Sequence, residues 1–169
     1  LKIVDIPQGV KAISFSAFEG CSNLSSINIP EGVTEINSSA FNGCSKLVTI
    51  TLPTSLSEIQ SSAFMGCSSL ASVIIPDKIK KIDLLVFSGC SSLTKVILPE
   101  GIIQIGYSAF SNCTSLTSIV LPSSILTIEE GAFRRCSSLS SIFVKSSIPP
   151  FLEKEMYNEY DEFKYNAPS

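Results

Sequence analysis

The chain has 169 residues, one domain of ordinary size, with 44% hydrophobic and only 16% charged residues; this balance excludes a disordered polar chain, and no apolar run reaches membrane-spanning length. The net charge of −3 sits in residues 146–169, where Glu153, Glu155, Glu159, Asp161 and Glu162 outweigh Lys154 and Lys164; a neutral body with a mildly acidic tail gives no electrostatic case for nucleic acid or an anionic membrane. Histidine and tryptophan are absent, which removes Ser-His and Cys-His catalysis and most zinc-enzyme sites.

From its first residues the chain repeats. Prolines recur at Pro7, Pro30, Pro53, Pro76, Pro99 and Pro122. Phenylalanines recur at Phe18, Phe41, Phe64, Phe87, Phe110 and Phe133, and cysteines at Cys21, Cys44, Cys67, Cys90, Cys113 and Cys136. Every interval is 23 residues, and leucines from Leu1 to Leu139 keep the same step. Three unrelated residue types locked to one period are the signature of stacked structural units.

The unit from Cys21 to Gly43 shows what each coil does. Leu24, Ile27 and Ile29 have the spacing of a strand whose inward side chains alternate with outward ones. Pro30 lacks an N–H and ends the ladder, and Pro30-Glu31-Gly32 makes a turn. Val33 and Ile36 form a second inward pair on a short strand. Ser39 is placed to N-cap a single helical turn holding Ala40 and Phe41, and Gly43 suits the left-handed residue that closes it. A lone coil buries too little to offset the entropy of ordering 23 residues, so the coils must stack.

The pattern L-x-x-I-x-(I/L)-P-x-x-V-x-x-I-x-x-x-A-F-x-x-C resembles the BspA-like leucine-rich repeat, the 23-residue class, over residues 1–145. The resemblance implies a right-handed leucine-rich-repeat solenoid, with a parallel β-sheet on the concave side and short strands and single helical turns on the other. It also implies a cell-surface or extracellular protein that adheres to a protein such as a host extracellular matrix protein; the residues themselves point to no enzymatic activity and no cofactor. The start at Leu1, without Met or leader, is read as a piece or mature product of something longer.

Some units depart from the pattern. Leu84, Leu85 and Val86 replace Ser-Ser-Ala, and Asn112 and Arg135 replace the glycine before cysteine. Lys145 stands where the next proline would be, so the solenoid is expected to end there. Residues 146–169 are expected to form a capping segment, with a helix starting at Pro149-Pro150 and carrying Leu152, Met156, Glu159, Tyr160 and Phe163 at helical spacing. Arg134 and Arg135 would either anchor that acidic cap or bind an acidic partner.

Two constellations are weighed and set aside. The cysteine row reads as small buried hydrophobes, neither a disulfide framework nor a metal site. Glu35 and Glu58 fall at one position of adjacent coils, but Lys81 and Gln104 continue the row, which reads as solvated charge. The outward rows of the main strand are more informative. One runs Asp5, Asn28, Thr51, Ile74, Ile97, Val120, Phe143, turning from polar to apolar halfway; the other runs Ile3, Ser26, Thr49, Ser72, Lys95, Ser118, Ser141. Ile74, Ile97, Val120 and Phe143, flanked by Asn28, Thr51, Ser72, Lys95 and Ser118, are the candidate partner-binding face, unless strand propensity alone explains the apolar residues or the cap folds over Phe143. Leu84, Leu85 and Tyr107 form a secondary candidate on the convex side. A glycan-binding accessory and a purely structural spacer are the rival readings.

Overall fold

Proline-terminated apolar triplets and short Val-x-x-Ile pairs set the strands of each coil. A computed structural model describes residues 2–146, 150–152 and 165–166. The main strands are β1 (Ile3–Asp5), β3 (Ser26–Asn28), β5 (Thr49–Thr51), β7 (Ser72–Ile74), β9 (Lys95–Ile97), β11 (Ser118–Leu121) and β13 (Ser141–Val144). The second strands are β2 (Ala12–Ile13), β4 (Glu35–Ile36), β6 (Glu58–Ile59), β8 (Lys81–Ile82), β10 (Gln104–Ile105) and β12 (Thr127–Ile128). Coils are counted from the one holding β1 and β2. All pairings among these strands are parallel and join residues one period apart, Ile27 with Ile50 and Ile105 with Ile128 among them. The main ladder is interrupted between β5 and β7 and between β9 and β11, the second between β6 and β8.

The proline turn forms as expected: Val33 N–H donates to Pro30 O (3.3 Å), and Gly32 takes φ +95°. Inside, the rows are continuous. Leu24, Val33, Ile36, Ala40, Phe41 and Cys44 of one unit are fully buried, as are their counterparts through the central coils. The phenylalanine rings stack face to face, with centroids 5.2 Å apart between Phe41 and Phe64 and 5.6 Å between Phe110 and Phe133.

The helical turn expected over Ala40 and Phe41 does not form. Ala40, Asn42 and Cys44 donate to Asn37, Ser39 and Phe41 of their own coil, at 3.2, 3.0 and 3.1 Å. The amides between them, Ser39, Phe41 and Gly43, donate to Ser61, Ala63 and Met65 of the next coil, at 3.1, 2.8 and 2.7 Å. A helix would aim every amide along its own axis and not at the neighbouring coil. The alternation builds a third ladder, called the arch here. It requires left-handed residues at two places per coil: Gly43 (φ +73°), as expected, and Ser39 (φ +58°), which is therefore no N-cap.

Leu85, Asn112 and Arg135 also take positive φ, at 57–58°, a region that costs a non-glycine residue about 1–2 kcal/mol. Arg135 is exposed, so its replacement sacrifices no burial. Arg135→Gly is expected to raise stability by about 1 kcal/mol, seen as a Tm higher by roughly 3 °C; an unchanged or lower Tm would show that the arch does not strain this residue.

The capping helix is also corrected. Phe151–Leu152 forms β14, paired with β12, and Tyr165–Asn166 forms β15, paired with β13. Both strand rows thus gain a member where a helix was expected at Leu152. The open edges of β12 and β13 carry backbone donors and acceptors that a strand can pair and a helix cannot. Met156, Glu159, Tyr160 and Phe163 lie outside the described residues, as do the tail acids proposed to meet the exposed Arg134 and Arg135.

Candidate binding face

The outward side of the main strands is built by alternation. In β7, Ser72 and Ile74 face solvent on either side of buried Val73; β9 repeats this with Lys95, Val96 and Ile97. Ile74 pairs with Ile97 and Val120 with Phe143 in the ladder. The four are 65%, 40%, 46% and 43% exposed, so among the described residues the apolar row faces solvent. Asn28, Thr51, Ser72, Lys95 and Ser118 are exposed beside them.

Two grooves follow the interruptions of the main ladder. One, of about 600 Å³, lies between β5 and β7 and gathers Thr51, Ser72 and Ile74 with Thr54 and Asp77. The other, of about 430 Å³, lies between β9 and β11 and gathers Lys95, Ile97, Ser118 and Val120 with Pro122 and Lys145. Asn28 and Phe143 lie on the same face outside both grooves.

Carboxylates at the turns fasten the rim. Glu31 accepts bonds from the Thr54 and Ser55 amides (2.9 and 3.2 Å), and these hold its pKa below the usual value. Glu100 pairs with Lys145 and is lowered chiefly by that partner. Lys145, at the vacated proline position, uses its freed N–H to donate to Leu121 O at 3.0 Å.

The secondary candidate is partly exposed. Leu84 and Tyr107 stand exposed in neighbouring coils, while Leu85 is half-buried and its N–H donates to Tyr107 O at 3.0 Å. Glu35 and Glu58 pair directly across β4 and β6, half-buried, and Glu58 accepts from Gln60 at 3.3 Å. Among the described residues no cluster of His, Cys, Asp and Glu has metal-holding geometry.

The cysteines have a specific task that spacing did not reveal. Each buried thiol from Cys44 to Cys136 donates to the phenylalanine carbonyl of the preceding coil, at 3.0–3.3 Å. Burial pushes the Cys44 thiol up to about 11 and Cys90 to about 12, and raises Cys67. Cys113 is raised by its bond with Cys136 and by burial.

Sequence reasoning missed a second apolar row. Ile103 and Leu126 are exposed beside the second strands, and exposed Phe151 follows, donating its N–H to Leu126 O at 2.8 Å. The signal was present: Lys11, Thr34, Ser57, Lys80, Ile103, Leu126 also turns from polar to apolar.

A family model for the BspA type leucine rich repeat region matches residues 1–85 and 58–160, in six copies. The chain is similar to a solved Treponema pallidum leucine rich repeat protein, TpLRR, with 34% identity and TM-score 0.83 over 90% of this chain and 73% of that one. It is similar to a leucine rich cell surface protein of Faecalibacterium prausnitzii A2-165, with 35% identity and TM-score 0.81 over 89% of this chain and 40% of that one. A leucine-rich repeat protein of Eubacterium ventriosum follows at 30% identity and TM-score 0.77, over 95% and 45%. The chain therefore spans less than half the length of the latter two. No curated protein matches it. No helix among the described residues is long and apolar enough to cross a membrane. With the 23-residue period, the stacked parallel strands and these matches together, the chain belongs to the BspA type leucine-rich-repeat family, whose members generally serve as non-enzymatic binding modules.

Proposed function

We propose that this chain is a protein-recognition module of a cell-surface or secreted protein, adhering to a host or matrix protein through the outward side of its main strands. The observation that carries the reading is the exposed row Ile74, Ile97, Val120 and Phe143, two pairs each in register, on a face lined mostly by Ser, Thr and Asn. Contiguous exposed apolar surface is characteristic of interaction sites. Short hydroxyl side chains offer hydrogen bonds at small entropic cost, and the apolar row supplies anchors whose burial drives association. The surface setting draws on the Faecalibacterium relative, which is described as a cell surface protein.

The test is a binding screen of the chain against immobilised matrix proteins and a glycan array, beside the double variant Ile97→Asp/Phe143→Asp. Circular dichroism first establishes that the variant folds. A protein ligand is expected, with affinity reduced at least about thirtyfold in the variant, as loss of anchor residues worth about 2 kcal/mol implies. Binding that the variant leaves unchanged would remove recognition from this face. Glycan hits without protein hits would replace the reading by carbohydrate binding, and silence in both screens would favour a structural spacer.

A further inference from the structure

We propose that the solenoid hinges between its third and fourth coils, opening on the side of the second strands. This is the one junction among the described coils where both strand ladders are open, between β5 and β7 and between β6 and β8. Beside the second strands, two amide bonds recur at the other junctions. Thr34 and Asn37 donate to Lys11 and Ile13, Ser57 and Gln60 to Thr34 and Ile36, Ile103 and Gly106 to Lys80 and Ile82, and Leu126 and Glu129 to Ile103 and Ile105. The corresponding bonds from Lys80 to Ser57 and from Asp83 to Ile59 are not made. Grooves open on both strand sides of this junction: the one of about 600 Å³ along β5 and β7, and one of about 270 Å³ lined by Ser57, Glu58, Lys80 and Lys81.

The arch side remains closed. Ser62, Phe64 and Gly66 donate to Leu84, Val86 and Ser88 at 2.9, 3.0 and 2.7 Å, and Phe64 and Phe87 stay stacked at 5.5 Å. Beside the main strands Ala71 still donates to Val48 O at 3.2 Å, so the side that has lost its bonds is that of the second strands, and the bonded arch opposite defines the rotation axis. The junction between the fifth and sixth coils does not share this freedom. Its main ladder is open, but Leu126 and Glu129 keep their bonds to the fifth coil.

The side chains at the position of Asp83 differ along the stack, but Asn37 and Gly106 keep their amide bonds without reaching back, so reach does not decide the junction. Gln60 reaches back one coil to accept from the Ser38 amide (3.2 Å), and Glu129 reaches back to the Tyr107 amide (2.7 Å). Asp83 occupies the same position with one methylene fewer. It turns onto its own coil, accepting from the Leu84 amide (2.9 Å) and pairing with Lys81 (3.1 Å). The equivalent Ser61 amide finds no acceptor among the described residues. The hinge lies at the boundary between the polar and apolar halves of the main face, between Thr51 and Ile74, so its motion tilts one half against the other.

Amide hydrogen exchange on the full 169-residue chain tests this. Lys80 and Asp83 are expected to exchange on the order of a hundredfold faster than Ile103 and Gly106. Equal protection at the two junctions would overturn the hinge.

Discussion

Raising the pH from 8 to 10 under reducing conditions is expected to remove on the order of 5 kcal/mol of stability, a large part of the total for a domain of this size. The cause is the thiol row. An unfolded cysteine ionises near pH 8.5, whereas folding pushes Cys44 up to about 11 and Cys90 to about 12 and raises Cys67 and Cys113 as well. Above pH 9 the unfolded chain releases protons that the folded chain retains. The unfolded state therefore binds fewer protons, and stability falls with pH by about 1.4 kcal/mol per unit for each such thiol. The loss begins near the unfolded value, continues to about pH 11 for Cys44 and to about pH 12 for Cys90, and is absent below pH 8. Denaturant midpoints at pH 7, 9 and 10 measure it. The double variant Cys67→Ala/Cys113→Ala should be less stable at pH 7, because two phenylalanine carbonyls lose a donor, yet show about half the slope above pH 9. A slope that the variant leaves unchanged would assign the alkaline loss to other groups.

The repeat made the coil legible because each of its strands is defined by inward residues at fixed offsets, and Pro30-Glu31-Gly32 and Gly43 have backbone demands that only certain residues meet. The arch was not legible as such. A Ser-x-Ala-Phe run reads equally as a helical turn when a single coil is considered; only the neighbouring coil, accepting from Ser39, Phe41 and Gly43, makes the alternating conformation the better one. The same dependence on neighbours hid the tail strands, since the helical spacing of Leu152 and the residues after it says nothing of the open edges beside them. The outward row from Ile74 to Phe143 was legible because alternation fixes which side each residue faces. Ile103 and Leu126 were not found, because the second strands are only two residues long and Ile103 and Leu126 precede them. The hinge was not legible, because the bonds that Lys80 and Asp83 fail to make to Ser57 and Ile59 depend on how two coils sit against each other and not on the 23-residue pattern.

Phe64→Ala is expected to cost about 3–5 kcal/mol, the range for deleting a fully buried aromatic side chain. Phe64 is completely buried and stacks on two rings, Phe41 at 5.2 Å and Phe87 at 5.5 Å. Its backbone accepts the Cys90 thiol and donates to Val86. Removing the ring empties a site that cannot collapse, because the arch ladder fixes the spacing of the coils on either side. In a solenoid, stability is a sum of coil and junction terms, so the damage should stay near the third coil. Guanidinium unfolding followed by circular dichroism should show a lower midpoint and a broader transition. Hydrogen exchange should show the arch amides Phe18 and Phe41 losing protection before Phe87 and Phe110, which donate to later coils. Phe133→Ala, at a ring with one stacking partner among the described residues and 6% exposure, should cost less and lower protection at the other end. A cost below about 1 kcal/mol for Phe64→Ala would mean that the backbone ladders hold the stack without the rings. Equal loss at both ends would mean that the solenoid unfolds as one unit, with the weak junction too stiff to separate its halves.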